Sequence, residues 1–89
     1  MAVPETRSCR LHPHAAQRVA ERGATEAEVA ATVREGEVFA AKHGRTGFRR
    51  NFTYNAPWMG RTYATKQVEA FAVHEDGCWL VITVLVRFF

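Results

Sequence analysis

Two long apolar segments near the end of the chain constrain its fold more than any other feature. Residues 61–74 and 78–89 are rich in β-branched and aromatic side chains, and Asp76-Gly77 lies between them. Such side chains favour strands, and an Asp-Gly pair between two strand-like segments is a strong signal for a β-hairpin. The sequence therefore predicts two long antiparallel strands joined by a tight turn.

The register of this hairpin stays open at the level of sequence. A two-residue loop pairs Val73 with Leu80, whereas a three-residue loop pairs Ala72 with Leu80. We favour the three-residue loop, because it gathers six apolar residues on one face against which two helices could pack. It also sets Thr83 beside Glu69 on the opposite face, and a slip by one residue would reverse these facings. The six apolar residues are Val68, Ala70, Ala72, Leu80, Ile82 and Val84.

The residues before the hairpin predict two short helices. Pro13 suits the first position of a helix, where its missing N–H costs nothing, and Gly23 suits the residue after a helix end. Thr25 and Glu28 form a T-x-x-E capping box, which predicts a second helix that ends at Gly36. Alanines and valines recur on one side of each helix and predict a narrow buried face.

After the helices the hydrophobic period changes to that of strands. Residues 37–43 predict a weak strand, and residues 47–54 predict one with Phe48 and Arg49 on opposite faces. Residues 55–60, which include a proline and a glycine, predict a loop. The element order is thus α-α-β-β-β-β. We predict the α+β class, with two short N-terminal helices packed on a four-stranded, mainly antiparallel sheet.

The size and charge of the chain limit its roles. Its 89 residues predict one domain over residues 1–89, and a net charge of +3 favours an anionic partner such as RNA, DNA or phosphate. The N-terminal residues lack the apolar core of a secretion signal, and the longest apolar run is too short to span a membrane as a helix. We therefore expect no membrane partner. The two cysteines are typical of a cytoplasmic protein with free thiols.

His14, Arg18 and Arg22 recur at every fourth residue of the first predicted helix. This row is open to two interpretations. One is a solvated face on which Glu21 pairs with Arg18, which is the commoner situation for charged residues on a helix. The other is a phosphate site, because arginine donates paired hydrogen bonds to phosphate oxygens and a histidine one turn away transfers protons near neutral pH.

Three further groups of polar residues are candidates for a site. Lys66 is either an edge-strand lysine that hinders aggregation or a cation over a phosphate. Arg49 and Arg61 lie near aromatic residues, a combination that binds nucleic acid, although aromatics at strand spacing are more often core. The possible zinc ligands are Cys9, His12, His14, His74 and Cys78. Their spacing matches no metal motif, and His12 and His14 should diverge on a helix, so we expect no metal and no cofactor.

The segment HAAQRVAERGATEAEV resembles the opening of a bacterial family of small domains of unknown function. Members of that family start with His-Ala, an arginine and Arg-Gly, and continue with a capped second helix. Later they carry a lysine-centred strand and a final strand like VITV. The resemblance covers about residues 12–87. The matching residues here are His14-Ala15, Arg18, Arg22-Gly23, Lys66 and Val81-Ile82-Thr83-Val84.

That family is similar to small ribonuclease toxins of the RelE/ParE and colicin type, which also place helices before an antiparallel sheet. The resemblance implies RNA as the target and a metal-independent ribonuclease or toxin-like activity. The implied catalytic residues are His14, Arg18, Lys66 and Thr83. The residues expected to attract the RNA strand are Arg22, Arg49 and Arg61.

A non-catalytic binding module on the same fold is the alternative, because a fold does not determine a function. The chain also predicts a protein partner. Long strand edges and the apolar end VRFF are typical of surfaces that pair with another chain, which would be a second copy or an antitoxin-like protein.

Overall fold

Two helices and five strands follow one another in residues 8–89, the part of the chain that the computed structural model describes. The elements are β1 (Cys9–Leu11), α1 (Pro13–Glu21), α2 (Glu26–Glu35), β2 (Glu37–Ala40), a 3-10 turn (Lys42–Gly44), β3 (Thr46–Trp58), β4 (Arg61–Glu75) and β5 (Cys78–Phe88). They form one sheet with the strand order β1-β5-β4-β3-β2. Strand β1 is parallel to β5, and the other neighbours are antiparallel.

The α+β class and the two helices are therefore confirmed, and the prediction of four strands is wrong by one. The missed strand, β1, has three residues and is too short for any hydrophobic period to show. The tertiary structure forms it, because the backbone N–H of Trp79 donates to the Ser8 carbonyl and that of His12 donates to the Val81 carbonyl. This strand also makes the sheet mixed rather than wholly antiparallel.

The helices begin where the sequence predicts. His12 is the residue before α1, and its ring Nδ1 accepts a hydrogen bond of 3.1 Å from the backbone N–H of His14. The capping box of α2 is complete, since Thr25 Oγ1 accepts from the Glu28 N–H at 3.1 Å and Glu28 Oε1 accepts from the Thr25 N–H at 3.0 Å. Within residues 8–89, neither of these short helices is long and apolar enough to cross a membrane.

Both helices pack on one face of the sheet, and the core lies between the two layers. Strand β3 contributes Phe48, which is 1% exposed, while Arg49 lies on the opposite face as predicted. Burying a valine or phenylalanine side chain completely removes its apolar surface from water, which stabilises the fold by about 1.5–3 kcal/mol for each side chain. The buried apolar residues are Ala15, Val19, Ala24, Val29, Val33, Phe48, Val68, Ala70, Ala72, Val81 and Val84.

The hairpin between β4 and β5 has a two-residue loop, so the favoured three-residue loop is wrong. Asp76 and Gly77 have φ angles of 53° and 78°, and the flanking residues Glu75 and Cys78 pair directly. Two consecutive residues in the left-handed region match the twist of the two strands, which explains why this turn forms. Val73 accordingly pairs with Leu80, as the shorter loop requires.

A β-bulge in β5 then changes the register a few residues from the turn. Phe71 pairs with Thr83 while Ala72 pairs with Val81, so Ile82 is the extra residue. The two-residue loop places Val81 opposite Ala72, and the bulge places Val84 opposite Ala70, so both valines are buried in the core. Leu80 and Ile82, which we expected there, are only partly buried. We expected Thr83 to lie beside Glu69, and this expectation is wrong, because Thr83 pairs with Phe71 and Glu69 pairs with Leu85.

Residues 55–58, which we predicted as part of a loop, continue strand β3. The strand is irregular between Thr53 and Ala56, and Asn55 there has a positive φ of 49°. The irregularity lets the chain pass Pro57 and still pair with β4, so that the turn is confined to Met59 and Gly60.

Candidate functional site

A pocket of about 320 Å³ lies where the first helix crosses the edge of the sheet. Strand β1 pairs with β5 only at residues 79–81 in the part of the chain that the structure describes, so α1 faces the next part of β5 directly. The residues that line the pocket are His12, His14, Ala15, Arg18, Arg22, Ile82, Thr83 and Val84. Four of them carry a cationic or titratable side chain, and none is acidic.

Two histidines stand at the mouth of this pocket. The rings of His12 and His14 are nearly parallel, with their centroids 6.3 Å apart and their planes inclined by 20°. They lie together because His12 precedes the helix with an extended backbone (ψ 142°) and therefore escapes the helical rotation that would separate them. Our expectation that the two side chains diverge is wrong, and His12 is a pocket residue that we missed. Pro13 at the first helical position was the signal that places His12 outside the helix.

The bond from the His14 N–H to His12 also defines one tautomer. Nδ1 of His12 is the acceptor of that bond, so neutral His12 carries its proton on Nε2. Among residues 8–89, no side chain forms a hydrogen bond with the imidazole of His14. The backbone of α1 thus orients the ring of His12, and the ring of His14 lies beside it in a near-parallel arrangement.

Arg18 and Arg22 follow on the same side of α1. Arg18 lies 4.0 Å from Glu21, with both side chains at least half exposed, so this contact competes only weakly with another anion. Arg22 donates a hydrogen bond to the carbonyl oxygen of Val84 and so covers part of the open edge of β5. That bond uses one of the five N–H groups of the guanidinium, and it fixes the position of the others.

The bulge in β5 brings Thr83 to the pocket. Ile82 and Thr83 together occupy the place opposite Phe71, and both line the pocket beside α1. Of the residues that we considered catalytic, the structure thus brings His14, Arg18 and Thr83 together, along with Arg22.

Lys66 lies elsewhere, on the helix-covered face of β4. Its ammonium group is 3.0 and 3.1 Å from the two carboxylate oxygens of Glu28 and 4.9 Å from the ring centre of Tyr54. The residue is only 6% exposed. Because one carboxylate already satisfies it, Lys66 is not available to a phosphate in the pocket.

Arg49 and Arg61 also lie away from the pocket. Arg49 is on the uncovered face of the sheet, where its Nε is 3.1 Å from a carboxylate oxygen of Glu69 and its guanidinium stacks 4.3 Å above the ring centre of Phe39. Arg61 begins β4 at the far end of the long hairpin and pairs with Trp58. Neither residue is among those that line the pocket.

The candidate zinc ligands do not gather at one point. Within residues 8–89, no three His, Cys, Asp or Glu side chains lie close enough together to hold a metal ion. Cys9 and Cys78 are free thiols in neighbouring strands. Burial raises the pKa of the Cys9 thiol, and the nearby charge of Cys78 adds to this increase, so Cys9 is a poor nucleophile at neutral pH.

The fold and the pocket define a two-layer α+β protein with a cationic pocket at one edge of its sheet. Comparison with protein-family models, curated proteins and solved structures found no match. The chemistry of the pocket therefore has to be inferred from its own residues.

Proposed function

We propose that this protein is a ribonuclease whose pocket binds a phosphodiester of RNA and cleaves it without a metal ion. The observation that supports the proposal is the lining of the pocket, which combines two imidazoles and two guanidinium groups in about 320 Å³ without an acidic side chain. Guanidinium groups hold phosphate oxygens and stabilise added negative charge, and imidazoles transfer protons near neutral pH.

The reaction is an attack of the RNA 2′-hydroxyl on the neighbouring phosphorus. His14 removes the proton of the 2′-hydroxyl while the bond between O2′ and phosphorus forms. The bond between phosphorus and O5′ breaks, and the departing O5′ takes up the proton that His14 removed, passed on through solvent water, while the Nε2–H of neutral His12 donates a hydrogen bond to a phosphate oxygen. The products are a 2′,3′-cyclic phosphate and a 5′-hydroxyl. Arg18 and Arg22 stabilise the charge that develops on the phosphate oxygens, and Thr83 offers one further hydrogen bond.

Lys66 is left out of this mechanism, although it belongs to the residues that the family resemblance implied. Its pairing with Glu28 is bidentate and buried, so it would have to leave a carboxylate in order to reach a phosphate. A buried pair that loses one partner is destabilised by several kcal/mol, about 3–5 in well-buried cases. We therefore assign Lys66 a structural role.

The test is cleavage of mixed-sequence RNA in EDTA by the wild type, His14→Ala, His12→Ala and Arg18→Ala. We expect the wild type to cleave and to leave cyclic phosphate ends, and we expect each variant to lose most of the activity. His74→Ala is the matched control, because His74 is exposed, meets the Trp79 ring edge to face and does not line the pocket. Cleavage that stops in EDTA, or that survives both the His14 and Arg18 substitutions, would rule out this mechanism.

A non-catalytic RNA-binding module is the second candidate. The observation that favours it is that, within residues 8–89, no side chain forms a hydrogen bond with the His14 ring, whereas bases of this kind are usually oriented by a hydrogen bond from a third group. Substrate with deoxyribose at the cleavage position separates the two candidates. A ribonuclease would bind this strand without cutting it and would cut the all-ribose strand, whereas a binding module would bind both and cut neither.

We also propose that the protein acts on cytoplasmic RNA in the manner of a toxin and pairs with another chain through β5. Within residues 8–89 no strand pairs with this edge of β5 beyond Val81, and the apolar side chains of Leu85 and Phe89 are exposed in that part of the chain. Expression in a bacterial host should slow growth, and His14→Ala should relieve this effect. Light scattering at low micromolar concentration should show a dimer if the partner is a second copy, and a monomer if it is an antitoxin-like protein.

A further inference from the structure

A second pocket, of about 370 Å³, opens on the face of the sheet that the helices leave uncovered. Its apolar floor consists of the rings of Phe39 on β2 and Phe71 on β4, which meet edge to face with their centres 5.9 Å apart. Strand β3 runs between these two strands, and its Gly47 pairs with both phenylalanines. Because Gly47 has no side chain, the Phe39 ring can lie over β3 at this point.

The wall of this pocket is held in a fixed position. The Phe39 ring lies over Gly47 so closely that a Cβ atom there would be 2.4 Å from two ring carbons. The guanidinium of Arg49 also lies over this ring, 4.3 Å from the ring centre, and Glu69 in turn holds that guanidinium. A ring in contact with both a backbone and a cation has little freedom, which lowers the entropic cost of binding against it.

The rim of the pocket is cationic. The 3-10 turn places Lys42, His43 and Arg45 beside the apolar floor. The turn is closed by hydrogen bonds from the Ala41 N–H to the Arg45 carbonyl and from the Arg45 N–H to the Lys42 carbonyl, and His43 takes a positive φ of 61°. No acidic side chain within residues 8–89 pairs with Lys42 or Arg45, so both charges face solvent at the pocket.

We propose that this outer pocket binds a small amphipathic anion, an aryl or branched-alkyl carboxylate whose apolar body packs on Phe39 and Phe71 while its carboxylate meets Lys42 and Arg45. The volume lies at the lower end of the range for small-molecule pockets, roughly 300–1,000 Å³, and an apolar floor with a few polar groups at the rim is their usual composition. This site is independent of the proposed ribonuclease activity, although Thr83 lines both pockets and lies between them.

The experiment titrates the 15N-labelled chain with 3-phenylpropionate and follows the backbone amide signals. We expect saturable shifts at Phe39, Lys42, Arg45 and Phe71, and no shift at Arg34 on the far side of α2. Two matched ligands separate the contributions: 3-phenylpropanol keeps the apolar body without the charge, and acetate keeps the charge without the body. Two exposed ion pairs change a dissociation constant by about fivefold, so the alcohol should bind about fivefold more weakly. Acetate should give no saturable shift.

Variants test the same assignment from the side of the protein. Gly47→Ala should abolish the shifts, because the new methyl group pushes the Phe39 ring into the pocket, and a well-dispersed spectrum shows that the variant remains folded. Lys42→Ala combined with Arg45→Ala should weaken binding about fivefold, whereas the control pair Arg34→Ala with Arg61→Ala, which removes the same charge, should leave it unchanged.

The proposal is overturned if phenylpropionate and phenylpropanol bind equally well, if both charge pairs weaken binding alike, or if the shifted amides lie beside α1 instead of around Phe39. Shifts at His14 and Arg18 alone would mean that the carboxylate occupies the phosphate pocket, and the ribonuclease proposal would be unaffected by that result.

Discussion

The pocket beside α1 and the middle of β4 contain the same kinds of residue, but their charges are used differently. On β4, Lys66 and Glu69 are both 6% exposed, and each has a charged partner within 3.1 Å, on opposite faces of the sheet. In the pocket, Arg18 has only a 4.0 Å contact with a solvated glutamate, and Arg22 meets a backbone carbonyl. The charges on β4 are thus neutralised by partners within the protein, whereas Arg18 and Arg22 have no close carboxylate within residues 8–89 and can bind an anionic ligand.

This difference shows how burial and pairing divide the roles of basic residues. A buried charge is tolerated only if a partner satisfies it, and a satisfied charge has little to gain from a phosphate. An exposed arginine costs nothing to leave unpaired and can exchange water for phosphate oxygens. The comparison therefore predicts that substitutions on β4 affect stability, whereas substitutions in the pocket affect binding and turnover.

The largest loss of stability should follow Lys66→Met. The substitution leaves the carboxylate of Glu28 without its main partner in a partly buried place, although Thr25 still donates to it. Breaking a buried pair costs about 3–5 kcal/mol, and because Glu28 keeps some solvent we expect about 2 kcal/mol in the free energy of unfolding. Urea unfolding measures this loss. Adding Glu28→Gln should recover part of it, and a loss below about 0.5 kcal/mol would remove the distinction between the charges on β4 and those in the pocket.

A smaller loss should follow Glu69→Gln on the other face of β4. Arg49 and Arg87 lie 3.1 and 3.9 Å from the Glu69 carboxylate, and both arginines reach water, so they are partly solvated once the charge is gone. We expect a loss of about 1–2 kcal/mol by urea unfolding, with cleavage of RNA unchanged. If cleavage fell as well, Arg49 would contribute to the RNA site after all.

Arg22→Ala should affect both properties, because Arg22 both covers the edge of β5 and lines the pocket. Loss of its hydrogen bond to the Val84 carbonyl should cost about 1 kcal/mol in unfolding free energy. The affinity for RNA should also fall, and the slope of log affinity against log salt should decrease by about one phosphate contact. A salt titration of RNA binding measures the second effect, and an unchanged slope would make Arg22 purely structural.

The smallest change in stability should follow Arg18→Ala, about 0.5 kcal/mol or less, because the side chain is exposed and its contact with Glu21 is long. The same substitution should lower kcat by more than it raises KM, since the guanidinium stabilises charge that develops only in the transition state. Arg34→Ala on α2 is the matched control and should change neither constant. An increase in KM alone would reduce Arg18 to a binding residue.

Much of the fold could be predicted from local patterns. Pro13, the capping box at Thr25 and the Asp76-Gly77 turn each act through nearby backbone groups, so helix starts and the hairpin could be derived from neighbouring residues. The register of the whole hairpin could not, because the bulge at Ile82 changes it a few residues from the turn. This bulge, which moves Val84 into the core, has no signature of its own in an unbroken apolar run.

The candidate site was predictable to the extent that its residues lie on one helix. The spacing of His14 and Arg18 places them on the same side of α1 in any tertiary structure, because the helix alone sets their directions, and Arg22 follows directly after the last residue of α1. Lys66 and Thr83 come from distant strands, and their positions relative to α1 depend on strand register and on the face that the helices choose. Lys66 lies on the covered face next to Glu28, whereas the bulge carries Thr83 to the pocket.

The sequence by itself determined the helices, the long hairpin and the row of basic residues on α1, since each depends on interactions between residues a few positions apart. Only the tertiary structure decided which charges are neutralised, that β1 adds a parallel strand, and that the Phe39 ring lies over Gly47 beside a second pocket. The physical reason is that pairing and burial join residues far apart in the chain, and a change of one residue in register moves a side chain to the opposite face of the sheet.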